Sequence, residues 1–357
     1  MKVEDINIRE VFTSNSKKTI EINIATRNFA VNSSAPETSE SCKLVCFPYT
    51  LATKAFLGIK KYFVGSSFDS VEEVDALLKE LDPTNDFNGI GGNLAFAISS
   101  ALLKALAKSE GVQVHEYLGK RKSDMPAPLG QVLVTPKIGF SEMMLFPARE
   151  RDFSKSASLL NSVRNDFVQP ANLHSALAEL SKFTTPLSLR IGVRLAVPYD
   201  TKDGRYVYPK EKMNAQEHML FIQEIAKDYP VSYIEDPFYK EDFVLPATLT
   251  HRLPTRIVAG NELYSNDISR LDTGTRIKST NGIVITPHEA GTITGTINLV
   301  EKARKHNMAI VMSCINNVDD NLAAQLAVGL RCDFAKIAFD SNSIAKVNEL
   351  IRISEAP

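Results

Sequence analysis

From residue 126 onward the chain alternates short apolar runs with amphipathic stretches, and this rhythm narrows its fold more than any other feature. Strand-like runs fall at 130–134, 141–146, 188–195, 231–235, 256–260, 282–286, 309–313 and 334–338. Helical patterns fall between them, at 154–165, 172–182, 213–228, 240–248, 291–305, 319–330 and 343–353. Strand followed by helix, repeated, implies parallel strands joined by right-handed crossovers. About eight strands predict a closed barrel rather than an open sheet. The few residues between 134 and 141 leave room for an antiparallel first pair and an irregular start.

Within this rhythm, the run Ser232-Tyr233-Ile234-Glu235-Asp236-Pro237-Phe238 is the most informative. Apolar residues lead into two adjacent carboxylates, and Pro237 then ends the strand. A buried parallel strand that carries acids at its C-terminal end places them where α/β barrels carry chemistry.

The N-terminal third has a different pattern. Ile6, Ile8 and Val11, then Ile20, Ile22 and Ile24, alternate around the polar stretch from Ser14 to Lys18, as in a β-hairpin. Residues 34–43, rich in Ser, Glu, Thr and Pro, predict an exposed loop. A helix is expected over 71–81. A longer one, capped by Asn93, carries Leu94, Ile98, Ala101, Leu102, Ala105 and Leu106 at helical spacing and ends near Gly111. The expected layout is an N-terminal α+β domain over 1–125 and a barrel domain over 126–357.

Composition excludes several function classes. The 41 basic and 42 acidic residues give no electrostatic footprint for nucleic acid or an anionic membrane. No apolar run has the length of a membrane span, and the N-terminus lacks a signal-peptide pattern. Four cysteines without a second pair at metal spacing read as reduced thiols of a cytoplasmic protein. Neither glycine-rich nucleotide-binding motif is present.

Six segments in order resemble the enolase family. They are Ile8-Arg9-Glu10-Val11 with Thr19-Ile20-Glu21-Ile22, Gly92-Asn93-Leu94-Ala95 through Lys104-Ala105, the block from Asp228 through Phe238, Leu326-Ala327-Val328-Gly329-Leu330, and Asn348-Glu349-Leu350-Ile351-Arg352-Ile353. The resemblance implies an α/β fold of enolase type, an N-terminal α+β domain followed by a (β/α)8-type TIM barrel. It also implies the chemistry of phosphopyruvate hydratase, in which 2-phosphoglycerate loses a proton next to its carboxylate. The resulting enolate needs a lysine base and Mg²⁺ held by carboxylates at strand ends.

Carried over residue by residue, that machinery is incomplete here. The first metal carboxylate corresponds to Arg194, the second to Glu235, and the third to Asn261, or to Glu262 after a one-residue slip. A dication facing Arg194 meets repulsion of about 4 kcal/mol per unit pair of charges at ~4 Å and an effective dielectric near 20, so no Mg²⁺ is expected at this site. Arg194 instead either reaches Glu235 or Asp236 and fills the space of the ion, or forms an ordinary interstrand ion pair. The base position corresponds to Thr286, whose hydroxyl cannot take a proton from carbon unaided, with His288 two residues on as a candidate base. The substrate-clamping His-Arg-Ser loop corresponds to Ser313-Cys314-Ile315, without its arginine. Cys314 reads as a buried thiol in the absence of a histidine partner. The family's acid-bearing segment has no counterpart between Glu142 and Arg194, and the mobile N-terminal loop is replaced by Ala35-Pro36-Glu37-Thr38-Ser39-Glu40, which brings two carboxylates to the substrate entrance. Glu142 and Lys336 are retained family positions. The expectation is an enolase-like paralogue that has lost dehydratase activity and binds or regulates, with an active lyase using Mg²⁺ as the alternative. The family's habit of assembly implies a homo-oligomer, and a true enolase subunit is a candidate partner.

Overall fold

The computed structural model describes residues 1–119, 125–134, 140–148, 152–168, 170 and 172–356. At the N-terminus, β1 (Asp5–Phe12), β2 (Lys18–Ala25) and β3 (Ala30–Ser34) form an antiparallel sheet in that order. Ile20, Ile22 and Ile24 alternate into the core as their spacing predicts. Three helices follow: α1 (Tyr49–Ile59), α2 (Val71–Leu81) and α3 (Gly92–Ser109). Ser70 caps α2 by accepting a hydrogen bond from the Glu73 amide. The long α3 packs on β2 and β3 and buries almost its whole length. Asn93 is not its cap, as expected, but lies inside its first turn. Its side chain instead pairs with both backbone groups of Phe47, and Gly91, at φ +94°, begins the helix.

A short helix, α4 (Val114–Gly119), leads toward the barrel. The expected domain boundary at 125/126 falls between α4 and β4, where residues 120–124 lie outside the described residues. Then come β4 (Ala127–Val134), β5 (Glu142–Pro147), α5 (Phe153–Asp166), α6 (Leu173–Thr184) and β6 (Leu189–Arg194). Three short strands, β7 (Tyr199–Asp200), β8 (Arg205–Val207) and β9 (Lys212–Met213), form a separate small sheet that the sequence reading does not anticipate. The remaining units are α7 (Ala215–Asp228), β10 (Val231–Glu235), α8 (Val244–Arg252), β11 (Ile257–Gly260), α9 (Ile268–Ile277), β12 (Gly282–Ile285), α10 (Ile293–Lys305), β13 (Ala309–Ser313), α11 (Leu322–Gly329), β14 (Phe334–Ile337) and α12 (Ile344–Glu355).

Eight of these strands close into a barrel in the order β10-β11-β12-β13-β14-β4-β5-β6. The fold is that of an N-terminal α+β layer beside an enolase-like TIM barrel. β5 runs antiparallel to both β4 and β6, so the irregular start consists of one reversed strand. Leu129, Met144, Tyr233, Ala259, Val284 and Val311 fill the barrel interior. Tyr233 fits because Gly192 opposite it has no Cβ; one built there would stand 3.2 Å from the Tyr233 ring.

Candidate functional site

The barrel register places charges at one level of the C-terminal mouth. Arg194, the last residue of β6, is paired with Glu142 on antiparallel β5 and with Glu235 on parallel β10. Register partners share a face of the sheet, so the three side chains converge. Arg194 Nη1 lies 2.9 Å from Glu142, Nη2 lies 2.6 Å from Glu262, and Nε lies 3.3 Å from Glu235 and 3.4 Å from Asp236. From the other side of the barrel, Lys336 on β14 places Nζ 2.8 Å from Glu142 and 3.0 Å from both oxygens of Glu235.

The neighbours complete this network. Tyr233 donates its hydroxyl to Glu235 at 2.9 Å, Asn261 donates its side-chain amide to Glu235 at 3.1 Å, and Gln131 donates to Glu142 at 3.0 Å. Asp236 sits at φ +46°, a strained conformation for a residue with a Cβ. Its Oδ1 accepts from the backbone amides of Asn261 and Glu262, which fixes the turn after β11.

The electrostatics follow from burial against pairing. Burial alone would raise the Glu142 carboxyl, but the charges of Lys336 and Arg194 outweigh it and hold it down at about 2. Burial works against the Lys336 ammonium, and Glu142 and Glu235 reverse that effect, so Lys336 stays charged. Burial also opposes the Arg194 charge, and four surrounding carboxylates overcome it. Asp236 goes the other way: burial, with Glu235 and Glu262 nearby, pushes it up to about 6 despite Arg194.

With Arg194 so placed, the residues present do not fit a magnesium ion. The carboxylate oxygens that would ligate it already accept from guanidinium and ammonium hydrogens, and those cations would stand beside the ion. Among the described residues, no group of three or more His, Cys, Asp or Glu is arranged to hold a metal.

Above this network lies a cavity of about 370 Å³, walled partly by the N-terminal loop. That loop is only in part the exposed segment expected over 34–43: Ser39, Glu40 and Lys43 are exposed, but residues 34–36 are buried. Ala35 is 1% exposed, and the following backbone is tied to the barrel loops. The Glu37 amide donates to Asn317, the Ser39 amide donates to Glu289 at 2.6 Å, and the Glu37 carbonyl lies 3.1 Å from His288 Nε2.

The comparisons with known proteins bear on both halves of the chain. The family model "Enolase, C-terminal TIM barrel domain" matches residues 188–356. An enolase from Archaeoglobus fulgidus is 27% identical over 99% of this chain and 98% of its own length. An enolase from Saccharolobus solfataricus is 25% identical over 85% of this chain and 82% of its own, and one from Saccharolobus islandicus is 26% identical over the same shares. This chain is similar to enolases along nearly its whole length, and its residues 188–356 match the enolase barrel family.

Set against the enolase pattern, the remaining positions separate into those at the mouth and those behind it. Thr286 and Ser313 line the cavity with Glu142, Arg194, Asn261 and Lys336. Both Asn261 and Glu262 reach the network, one bonding Glu235 and the other Arg194, so each alternative for the third enolase carboxylate has a separate partner. His288 lines the cavity but is buried and bonded to the loop carbonyl, and burial lowers its pKa below the usual imidazole value. Cys314 does not line it. Its thiol is fully buried behind β13, and burial pushes it up to about 12. Gln131, Tyr233, Asn317 and Glu289 escaped the sequence reading. For Gln131 and Tyr233 a signal existed, since each is a polar group within an apolar strand. Among the described residues, no helix is long and apolar enough to cross a membrane.

Proposed function

We propose that this enolase-like chain has lost 2-phosphoglycerate dehydration and retains the barrel as a non-catalytic binding or regulatory protein. The observation that carries this reading is Arg194, whose guanidinium bonds Glu142 and Glu262 and stands within ion-pair distance of Glu235 and Asp236. In the family resemblance these strand ends hold a divalent cation. Here a tethered cation supplies the neutralisation instead, and Lys336, held between Glu142 and Glu235, is a charged donor rather than a base. Thr286, which corresponds to the base position in the resemblance, has no activating partner for its hydroxyl among the described residues. The proposal extends to a cytoplasmic homo-oligomer, with a catalytically competent enolase as a candidate partner.

The second reading is a working phosphopyruvate hydratase that uses Mg²⁺, and the names of the relatives matched along nearly the whole chain favour it. One assay separates the two. Purified protein is given 2-phosphoglycerate with and without saturating Mg²⁺, and phosphoenolpyruvate is followed beside an Arg194→Asp variant. The first reading expects no turnover and no effect of Mg²⁺ on the melting of the unmodified protein. Metal-dependent turnover would establish the second.

A further inference from the structure

The cavity above the charge network has a definite chemical character. Four carboxylates line it, those of Glu37, Glu142, Glu262 and Glu289, against two lining cations, Arg194 and Lys336, while Lys17 pairs with Glu37 at 3.3 Å from beside the cavity. Both cations are already engaged. All three donor nitrogens of Arg194 face carboxylates, and the Lys336 ammonium is held by Glu142 and Glu235. His288 is buried and adds no charge, since burial favours its neutral form. An entering phosphate or carboxylate would therefore meet surplus negative charge and, among the described lining residues, no cation that is not already paired.

The wall also carries hydrogen-bonding atoms that no protein group among the described residues uses. Asn261 donates its amide to Glu235, which leaves its Oδ1 open, and Asn316 accepts from the Val318 amide, which leaves its Nδ2 open. Thr286 and Ser313, each with a hydroxyl, line the same space. Glu262 gives one oxygen to Arg194 and keeps the other, on a side chain that is 35% exposed. Among the described lining residues Ile315 alone is apolar, so a ligand here is held by hydrogen bonds and charge rather than by apolar contact.

From these features we infer that the mouth cavity binds a sugar-sized, hydroxyl-rich molecule that carries an amine and no phosphate, with Glu262 as the carboxylate that meets the ammonium. This deepens the non-catalytic reading of the same site and rests on it. The volume suits a molecule of that size, the open amides and hydroxyls match its hydroxyl groups, and the surplus of carboxylates selects its charge.

Three probes that differ mainly in charge test the inference: glucosamine, glucose and glucose 6-phosphate, titrated calorimetrically at low salt into the full-length protein. The expected order is glucosamine first, at least ~10-fold tighter than glucose, with glucose 6-phosphate not binding. Glu262→Gln is expected to reduce the glucosamine affinity about tenfold while leaving the glucose affinity unchanged, which separates charge recognition from misfolding. Tightest binding by glucose 6-phosphate, equal binding of all three, or no binding of glucosamine would overturn it. The same preparation is assayed with 2-phosphoglycerate. Absent glucosamine binding without turnover refutes the ligand class alone, whereas turnover refutes the non-catalytic reading.

Discussion

Glu142 and Arg194 are direct register partners across the antiparallel β5–β6 pair, and their side chains meet at 2.9 Å in the barrel mouth. The same register sets Arg194 beside Glu235 on β10, so backbone pairing alone brings one guanidinium to two acids. A cation at this position is built into the sheet rather than added at its rim.

Removing that cation leaves carboxylates buried without their partner. Arg194→Met, close in length and uncharged, is therefore expected to lower unfolding stability by about 3–5 kcal/mol, read from the urea midpoint. A loss under about 1 kcal/mol would mean that Lys336 alone neutralises the acids.

How much of this was legible in the sequence depends on the range of the interaction concerned. The strand ending in Glu235-Asp236-Pro237 and the alternation of β and α units are local patterns, and the structure follows them closely. The convergence of Glu142, Arg194, Glu235 and Lys336 needed the family resemblance, because those residues lie on strands far apart in the chain. The docking of residues 35–39 was not legible at all. Its partners Asn317 and Glu289 are some 250 to 280 residues away, and a polar loop reads as exposed when its acceptors are unseen. Asn93 misled for a related reason: its side chain suits a helix cap, but the nearby Phe47 backbone uses it.

Lys336 and Arg194 share Glu142, so their partners cannot be independent. In a double-mutant cycle of Lys336→Met with Glu142→Gln, the double variant should lose less stability than the two singles combined. The coupling energy is expected at about 1–3 kcal/mol. Additive losses would show that the 2.8 Å contact contributes little to folding.

The loop over the mouth is held by few bonds, which predicts local rather than global opening. Glu289 accepts from the Ser39 amide and from Asn266, tying the loop to the barrel. Glu289→Ala should speed hydrogen exchange of the Ser39 amide by at least ~10-fold while strand β10 keeps its protection. Unchanged exchange at Ser39 would assign the latch to Asn317 and His288 instead.

A last expectation concerns acid. His218 on α7 is fully buried, stacked on Tyr206 with ring centres 3.9 Å apart. Its Nε2 lies 2.7 Å from the Pro237 carbonyl and its Nδ1 lies 3.0 Å from the Tyr208 hydroxyl. The neutral ring satisfies both, with Nε2–H donating to the carbonyl and Nδ1 accepting from the hydroxyl, and so it anchors the turn that follows Glu235 and Asp236. Burial lowers its pKa to about 4, partly opposed by the bond to Pro237. The unfolded chain, with an imidazole near 6.5, therefore binds more protons than the folded one between those values. Stability rises with pH in that window and is lost as pH falls from about 6.5 toward 4. Between pH 7 and pH 5 this single group should remove about 2 kcal/mol. His218→Phe keeps the ring packing but leaves the Pro237 carbonyl without its donor, at a cost of about 1–3 kcal/mol at pH 7. The variant should nevertheless lose less stability than the unmodified protein on going from pH 7 to pH 5. An identical pH dependence in the two proteins would show that His218 does not carry the acid sensitivity.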